Sequence, residues 1–161
     1  MNLEKIYICH WKQLKERKDK LLQLLDYQGI ENFTFIESYD KNDWNLTEIK
    51  SLYPYAFQRT PSGRFLNEPE ISLLLKHYSI ISEMSISDNP YALVLEDDVI
   101  FCDDFLINLE KSCNQLPKDW DLVWAGTCCN LHSKYIPGKY VYKENSSRCT
   151  HAYLILSLIH I

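Results

Sequence analysis

The segment Tyr91–Phe101, which reads YALVLEDDVIF, constrains the fold more than any other part of the chain. Its apolar first half predicts a strand buried on both faces, because a strand with one solvated face alternates apolar and polar residues. A doubly buried strand needs a layer of structure on each side of its sheet. The run ends in Glu96, Asp97 and Asp98, and an unpaired charge in such a place costs several kcal/mol. Something must therefore compensate these three acids.

Short β-rich runs alternate with helical periodicity along the rest of the chain. Strands are predicted at 5–10, 33–40, 90–101, 120–126, 139–144 and 150–155. Helices are predicted over 14–29, 70–86 and 103–116, the last with Asp103 or Asp104 as N-cap, and residues 46–67 form a weakly patterned surface segment. The strand–helix–strand start favours parallel pairing. The predicted fold class is α/β: a Rossmann-like sandwich with a mainly parallel sheet and helices on both faces.

Composition excludes several classes of protein. With 161 residues, 46% apolar and 24% charged, the chain fits one folded domain rather than a disordered region. A net charge of -5 without a dense basic run argues against nucleic-acid binding, and no apolar run approaches the roughly 18 residues that span a bilayer. The six cysteines lack the paired spacing of a zinc site, so free thiols are expected. The N-terminus does not resemble a signal peptide, which favours a cytoplasmic protein with peripheral membrane contact allowed. The oligomeric state is not predicted.

The segment LSLIHI, residues 156–161, needs separate treatment. It is identical to one reading frame of a transposase adaptor commonly used in sequencing libraries. We therefore expect residues 156–161 to be an artefact and residues 1–155 to be the natural domain. The alternative is an ordinary apolar end of a strand or helix.

The acidic block has the chemistry of a cation site. Residues two apart along a strand point to the same face, so Glu96 and Asp98 share a face and Asp97 points to the other. Ligands of α/β sheets bind at the carboxyl ends of the strands, where these acids lie. Two carboxylates on one face suit a hard divalent cation that bridges the oxygens of a diphosphate. The alternative is that the acids end the strand, cap the next helix and stay solvated.

Several blocks of the sequence, in this order, resemble glycosyltransferase family 25, the family of lipooligosaccharide and collagen hydroxylysine galactosyltransferases. The first is IYICHWKQLKERKDKL, with Arg17 at the family's arginine, and the second is EPEISLLLKHYSII. YALVLEDDVIF is similar to the family's Glu-Asp-Asp block, LPKDWDLVWAG to its LP-x-DWD strand, and THAYLI to the start of a later block. His10, Trp11 and Gln13 depart from the pattern, which commonly has Asn-Leu and an arginine there.

The resemblance implies a GT-A fold and a metal-dependent glycosyltransferase. Members of the family use a nucleotide-sugar donor, usually UDP-linked, with a manganese-type divalent cation, and they invert the anomeric carbon. The expected reaction moves a hexose, with galactose as the expected sugar, to a saccharide or hydroxylysine-type hydroxyl, as in lipopolysaccharide and other glycan biosynthesis. The family domain continues beyond this chain. The enzyme is therefore expected to be the parent protein, and the chain a part of it that is incomplete at the C-terminus.

The resemblance also implies roles for particular residues. Asp98 would be the principal metal ligand, with Glu96 as the other metal residue. Glu96 or Asp97 would contact the ribose or a second metal site. His10, Arg17, Glu96 and Asp97 would bind the donor. For Arg17, a solvated helix arginine is the competing interpretation.

Glu70, His77 and Asp121 are candidates for the same cleft. Each also has an ordinary structural interpretation: Glu70 favours a helix N-terminus, His77 suits an apolar core, and Asp121 suits a turn before a strand. An inverting transfer needs a general base near the acceptor hydroxyl, and the sequence does not assign it to a residue.

Two other functions remain open at this level. A related module that binds nucleotide-sugars or glycans but has lost turnover is compatible with the departures at His10, Trp11 and Gln13. A metal-dependent phosphoryl-transfer enzyme would use the same acids. Only a glycosyltransferase couples UDP binding to sugar transfer.

Overall fold

The computed structural model describes residues 3–126, 136–143 and 150–157. Its strands form one sheet in the order β2-β1-β3-β5-β4. They are β1 (Ile6–Cys9), β2 (Thr34–Ile36), β3 (Tyr91–Glu96), β4 (Leu122–Gly126) and β5 (Ala152–Leu156). The helices are α1 (Lys15–Tyr27), α2 (Leu46–Leu52), α3 (Glu68–Met84) and α4 (Phe105–Cys113), with a short 3-10 helix at Pro54–Phe57.

The sheet combines parallel and antiparallel pairing. β1 pairs in parallel with both β2 and β3, as the strand–helix–strand start predicts. β5 lies between β3 and β4 and is antiparallel to both. The α/β prediction is therefore confirmed, and the expected mainly parallel sheet is corrected to a mixed one. An apolar strand pattern carries no direction, so the sequence could not indicate that β5 runs back along β3.

Helices cover both faces of the sheet. On one face, Ile8 of β1 and Leu95 of β3 pack with Leu25 of α1. On the other face, Val94 of β3 packs with Ile80 of α3. β3 is buried on both faces as predicted, and its four central residues are each 0% exposed. Because the rest of β3 is covered on both faces, its acids lie at the carboxyl end of the strand, where it leaves the core.

The two long helices begin or end at residues that explain their bounds. α1 buries Leu21 and Leu25, which are one turn apart, and the chain leaves the helix through Gly29 at a φ of +68°. α3 begins with a capping box, in which Asn67 accepts from the backbone of Glu70 and Glu70 accepts from the backbone of Asn67. The cap sets the first turn of the helix that later carries His77.

Of three local predictions, one was incomplete, one was wrong and one is confirmed in position. Residues 46–67 contain α2 and the 3-10 helix, and Ile49 of α2 is buried against α3. Their elements are too short to show a helical period. Residues 139–143 are not in a strand, and residue 144 lies outside the described residues. Asp104 occupies the N-cap position of α4 as predicted, although its side chain makes no capping hydrogen bond.

The segment 156–161 is described only at its start. Leu156 is the last residue of β5, and the buried Ser157 donates its backbone N–H to the carbonyl of Pro90 and its hydroxyl to that of Ser87. Residues 158–161 lie outside the described part of the chain. The adaptor origin of this segment stays a prediction.

The structure tests the expectations about cysteines and membrane-spanning helices only for the residues that it describes. Cys9, Cys102 and Cys113 are free thiols, and the other three cysteines lie outside that part of the chain. Among the residues that the structure describes, none of the helices combines the length and apolarity needed to cross a membrane.

Candidate functional site

The acidic block lies at the point where the strand order of the sheet reverses. From β1 the chain passes to β2 on one side and later to β3 on the other, so the connections diverge between β1 and β3. The register pairs Cys9 with Glu96, which places the carboxyl ends of the two strands side by side. Such a switch point is where open α/β sheets bind ligands. His10, Glu96, Asp97 and Asp98 therefore meet at one crevice.

Glu96 lies on the α3 side of the crevice among polar neighbours. Its Oε1 accepts a hydrogen bond from the hydroxyl of Thr150 and lies 3.7 Å from Nε2 of His77, while its Oε2 lies 3.7 Å from Nδ1 of His151. Burial by itself would raise the pKa of Glu96, but attraction to His77, Thr150 and His151 outweighs it and lowers the pKa. Glu96 is therefore held as a carboxylate in a largely buried position.

Glu96, Asp98 and His151 form a candidate cation site. One ligand atom from each residue lies within 4.8 Å of the others. Nδ1 of His151 is buried without a hydrogen-bond partner and is 3.7 Å from Oδ1 of Asp98. Two carboxylates and one imidazole are a ligand set that a divalent metal accepts. Glu96 and Asp98 were predicted as the metal pair, and His151 was missed.

The reason His151 was missed is the direction of β5. His151 precedes the first residue of β5, and Ala152 pairs with Leu95, so the antiparallel strand begins beside the end of β3. A parallel β5 would place the same histidine at the opposite edge. The signal available in the sequence was the histidine of THAYLI itself, which lies next to a predicted strand.

Asp97 points to the α1 side, opposite to Glu96. Its Oδ2 lies 2.8 Å from Nδ1 of His10, and its Oδ1 accepts from the guanidinium of Arg17 at 3.1 Å. The Asp97 side chain is 10% exposed and that of His10 is 0% exposed. Arg17 is half exposed and also reaches Oδ2 of Asp98 at 3.4 Å. Asp97 therefore has a partner on each oxygen, and Arg17 stands at the solvent edge between the two acids.

His77 lies on α3 beneath Glu96. Its Nδ1 is 2.9 Å from the hydroxyl of Tyr153 and 3.8 Å from the sulfur of Cys9. Burial, and then the nearby charge of Glu96, raises the pKa of the Cys9 thiol to about 12. Burial likewise raises the pKa of the Tyr153 hydroxyl. The structure thus brings His77 into the acidic site, together with two side chains that stay protonated.

Glu70 belongs to a different contact. It forms a two-point ion pair with Arg64, in which both N···O distances are 2.7 Å, and it completes the capping box of α3. The hydrogen bond from Arg64, followed by that from the backbone of Asn67, lowers the pKa of Glu70 to about 2. Its carboxylate is thus already paired. The structure shows no contact between Glu70 and the acids that follow β3.

Asp121 lies at the opposite edge of the sheet. Its carbonyl accepts from the backbone N–H of Leu156, and Leu156 pairs with Tyr91, the first residue of β3. The acidic block instead begins at Glu96, the last residue of that strand. Five strand residues separate the two edges, a distance of roughly 16 Å. The structure therefore does not bring Asp121 to the crevice.

A buried ion pair lies beside the site. Lys76 donates from Nζ to Oδ1 of Asp40 and to the carbonyls of Ser38 and Ile36, at 2.6, 2.6 and 3.2 Å. The second oxygen of Asp40 accepts the backbone N–H of Lys12 at 3.1 Å. Lys76 and Asp40 are 3% and 0% exposed. The pair ties α3 to the loops that follow β1 and β2.

Fold and site together define a class: an α/β domain with a carboxylate–imidazole cluster at the switch point of its sheet. Comparison with protein families narrows this class. The model of glycosyltransferase family 25, described as an LPS biosynthesis protein family, matches residues 3–155. The chain belongs to glycosyltransferase family 25, and the expectation drawn from its sequence blocks is confirmed.

Curated relatives of the chain carry names of three kinds. Procollagen galactosyltransferase 2 of Homo sapiens is 33% identical over 132 residues, which is 78% of this chain and 21% of the relative. A glycosyltransferase 25 family member of Drosophila melanogaster is 27% identical over 130 residues, with the same two coverages. A probable inactive glycosyltransferase 25 family member 3 of Rattus norvegicus is also 27% identical, over 133 residues that are 78% of this chain and 23% of the relative. The chain spans about a fifth of the length of the curated relatives it matches.

Proposed function

We propose that this chain forms the donor-binding part of a metal-dependent glycosyltransferase with a GT-A arrangement. The observation that carries the proposal is the convergence of Glu96, Asp98 and His151 at the carboxyl end of β3, where β5 begins. The site lies inside the range that matches the family model. A nucleotide diphosphate bound there through a cation would sit where α/β sheets bind their ligands.

A divalent cation, with manganese as the proposed metal, fits the residues present. Glu96 and Asp98 supply carboxylate oxygens, and His151 supplies a buried nitrogen that has no other hydrogen-bond partner. Manganese is compatible with the two carboxylates of this set, which are ligands that it prefers. When bound, the cation would supply charge neutralisation for the departing diphosphate.

The residues of the chain have separate tasks in this proposal. Arg17, half exposed beside Asp97 and Asp98, has N–H groups that can donate to a phosphate in a bidentate manner. His10 binds Asp97 and so orients the carboxylate that Arg17 contacts.

The donor and acceptor are proposed from the relatives. Two relatives are named procollagen galactosyltransferase 2, from human and mouse, at 33% and 30% identity. We therefore propose a UDP-hexose donor, with galactose as the sugar, and a hydroxylysine-type or saccharide hydroxyl as the acceptor. The reaction is proposed to invert the anomeric carbon.

Calorimetric titration of UDP tests the site. We expect binding in the presence of Mn²⁺, loss of binding when a chelator replaces the metal, and loss in Asp98→Ala. The matched control is Asp26→Ala, which removes an exposed aspartate at the far end of α1 and should bind as the wild type does. Equal UDP affinity in the wild type with metal, with chelator and in Asp98→Ala would contradict the proposal.

A second candidate is a binding module that holds the donor without turnover. It is favoured by the relatives named as inactive, which match this chain at 27% and 26% identity. Both candidates predict metal-dependent UDP binding. Only the enzyme predicts release of UDP from UDP-galactose and appearance of a galactosylated acceptor, so a transfer assay on the parent protein separates them.

A further inference from the structure

The ring of His77 lies between two buried side chains, Tyr153 and Cys9, and the carboxylate of Glu96. Its Nδ1 faces the hydroxyl of Tyr153 at 2.9 Å and the sulfur of Cys9 at 3.8 Å. Its Nε2 faces Oε1 of Glu96 at 3.7 Å and is buried without a direct hydrogen bond. The ring therefore has two weakly acidic groups on one nitrogen and a carboxylate near the other.

The neighbours of the ring determine where its proton lies. A tyrosine hydroxyl and a cysteine thiol carry their protons at neutral pH, so the groups of Tyr153 and Cys9 that face Nδ1 can both donate to it. A carboxylate only accepts hydrogen bonds, so Nε2 must carry the proton to interact favourably with Glu96. Reaching ordinary hydrogen-bond length from 3.7 Å requires a movement of roughly 0.8 Å.

The two oxygens of Glu96 are used differently. Oε1 accepts from Thr150 and faces Nε2 of His77. Oε2 faces His151, on the side of the candidate cation site. A carboxylate whose first oxygen is held in this way presents its second oxygen in a fixed direction, as supporting hydrogen bonds do for metal ligands in general.

We propose that His77 is a positioning residue: held in the Nε2–H tautomer by the Tyr153 hydroxyl, it fixes Oε1 of Glu96 and so aims Oε2 at the cation. The inference rests on the proposed function for the presence of that cation. The relay Tyr153–His77–Glu96 connects β5, α3 and β3.

Two substitutions of His77 distinguish the roles of its two ring nitrogens. In His77→Gln the side-chain amide nitrogen takes the place of Nε2 and can still donate to Glu96. In His77→Asn the amide corresponds to Nδ1 and is too short to reach Glu96. We expect His77→Asn to weaken Mn²⁺ binding by the 161-residue chain about tenfold and His77→Gln to recover most of the affinity. Equal thermal unfolding of the two variants would show that folding does not explain the difference.

Nitrogen-15 NMR of the His77 ring reports the tautomer directly. We expect a protonated Nε2 and an unprotonated Nδ1 in the metal-free wild type at pH 7.5. Tyr153→Phe removes the donor to Nδ1, so it should increase the Nδ1–H fraction and weaken Mn²⁺ binding. The control is Tyr7→Phe, which removes a hydroxyl from the same core cluster, where it bonds Glu83 rather than His77. Tyr7→Phe should change neither the tautomer nor the affinity.

Two results would overturn the relay. One is an Nδ1–H or doubly protonated His77 in the wild type, and the other is equal Mn²⁺ affinity in His77→Asn and the wild type. A wild-type chain that binds no Mn²⁺ would instead remove the metal site of the proposed function. In that case the tautomer measured by NMR would still test whether Tyr153 and Glu96 hold His77 as proposed.

Discussion

Two charged clusters lie close to the carboxyl end of β1, and they differ in how completely their polar atoms are paired. In the cluster of Lys76 and Asp40, the ammonium has three acceptors and each carboxylate oxygen has a donor. In the cluster of Glu96, Asp98 and His151, a buried imidazole nitrogen has no hydrogen-bond partner. The first cluster is closed, in the sense that all of its charged groups have hydrogen-bond partners. The second cluster has atoms that remain available to a ligand.

The difference indicates which cluster is structural. A buried ion pair whose remaining hydrogen bonds are all made is compatible with a purely structural role. A buried polar atom without a partner needs an explanation, and a ligand is one. The two oxygens of Asp97 are both occupied, by His10 and Arg17, although Nε2 of His10 is itself buried without a hydrogen-bond partner.

The largest expected effect is on stability, from breaking the closed cluster. Lys76→Met leaves the charge of Asp40 buried without its partner, so we expect the free energy of unfolding to fall by about 3–5 kcal/mol. Lys50→Met, on an exposed position of α2, should change it by no more than about 0.5 kcal/mol. Urea unfolding at pH 7 measures both.

A double variant sharpens this first test. Lys76→Met combined with Asp40→Asn removes the uncompensated charge while an amide oxygen still accepts from the backbone of Lys12. It should therefore be more stable than Lys76→Met alone. If Lys76→Met unfolded like the wild type, the cluster would have no structural role and the comparison would fail.

A smaller effect should distinguish two neighbouring aspartates. Asp97→Ala leaves the buried Nδ1 of His10 without its acceptor, so we expect a loss of about 1–3 kcal/mol. Asp98→Ala removes a contact to Arg17, with side chains 44% and 50% exposed, and a 3.7 Å approach to His151, whose side chain is 41% exposed. Because these contacts are solvated, the substitution should cost at most about 0.5 kcal/mol. Urea unfolding in the presence of a chelator excludes metal effects. A loss in Asp98→Ala as large as that in Asp97→Ala would contradict the assignment of the two acids.

The smallest expected effect concerns the exposed ion pair of Glu70 and Arg64, in which both carboxylate oxygens accept hydrogen bonds. The pKa of Glu70 is lowered to about 2 in the folded chain, against an ordinary value of 4.5. Its contribution to stability is therefore present above pH 4.5 and is lost as the pH falls toward 2. Glu70→Gln lacks the charge but can keep the capping box. Melting temperatures should differ between wild type and variant at pH 5 and converge by pH 2. A difference that grows as the pH falls would have the wrong sign.

Much of the fold was predictable because it rests on local patterns. The apolar run before Glu96 indicates a strand buried on both faces, and α1 shows its buried leucines at helical spacing. α2 was missed because its seven residues are too few for a period, and its burial against α3 is a tertiary contact. The pattern at 139–143 suggested a strand, but the chain there has none, which shows that β-propensity needs a partner strand.

The sequence by itself determined the acidic block, its place at the end of a buried strand and its membership of glycosyltransferase family 25. The acidic block and its place follow from residue type and spacing along one segment, and the membership follows from several blocks that resemble the family. Only the tertiary structure decided that His151 joins Glu96 and Asp98, that His77 lies beneath them, and that Asp121 does not. The physical reason is strand direction: an apolar pattern is the same read forwards or backwards, and the pairing of β5 with β3 settles which of its ends meets the acids.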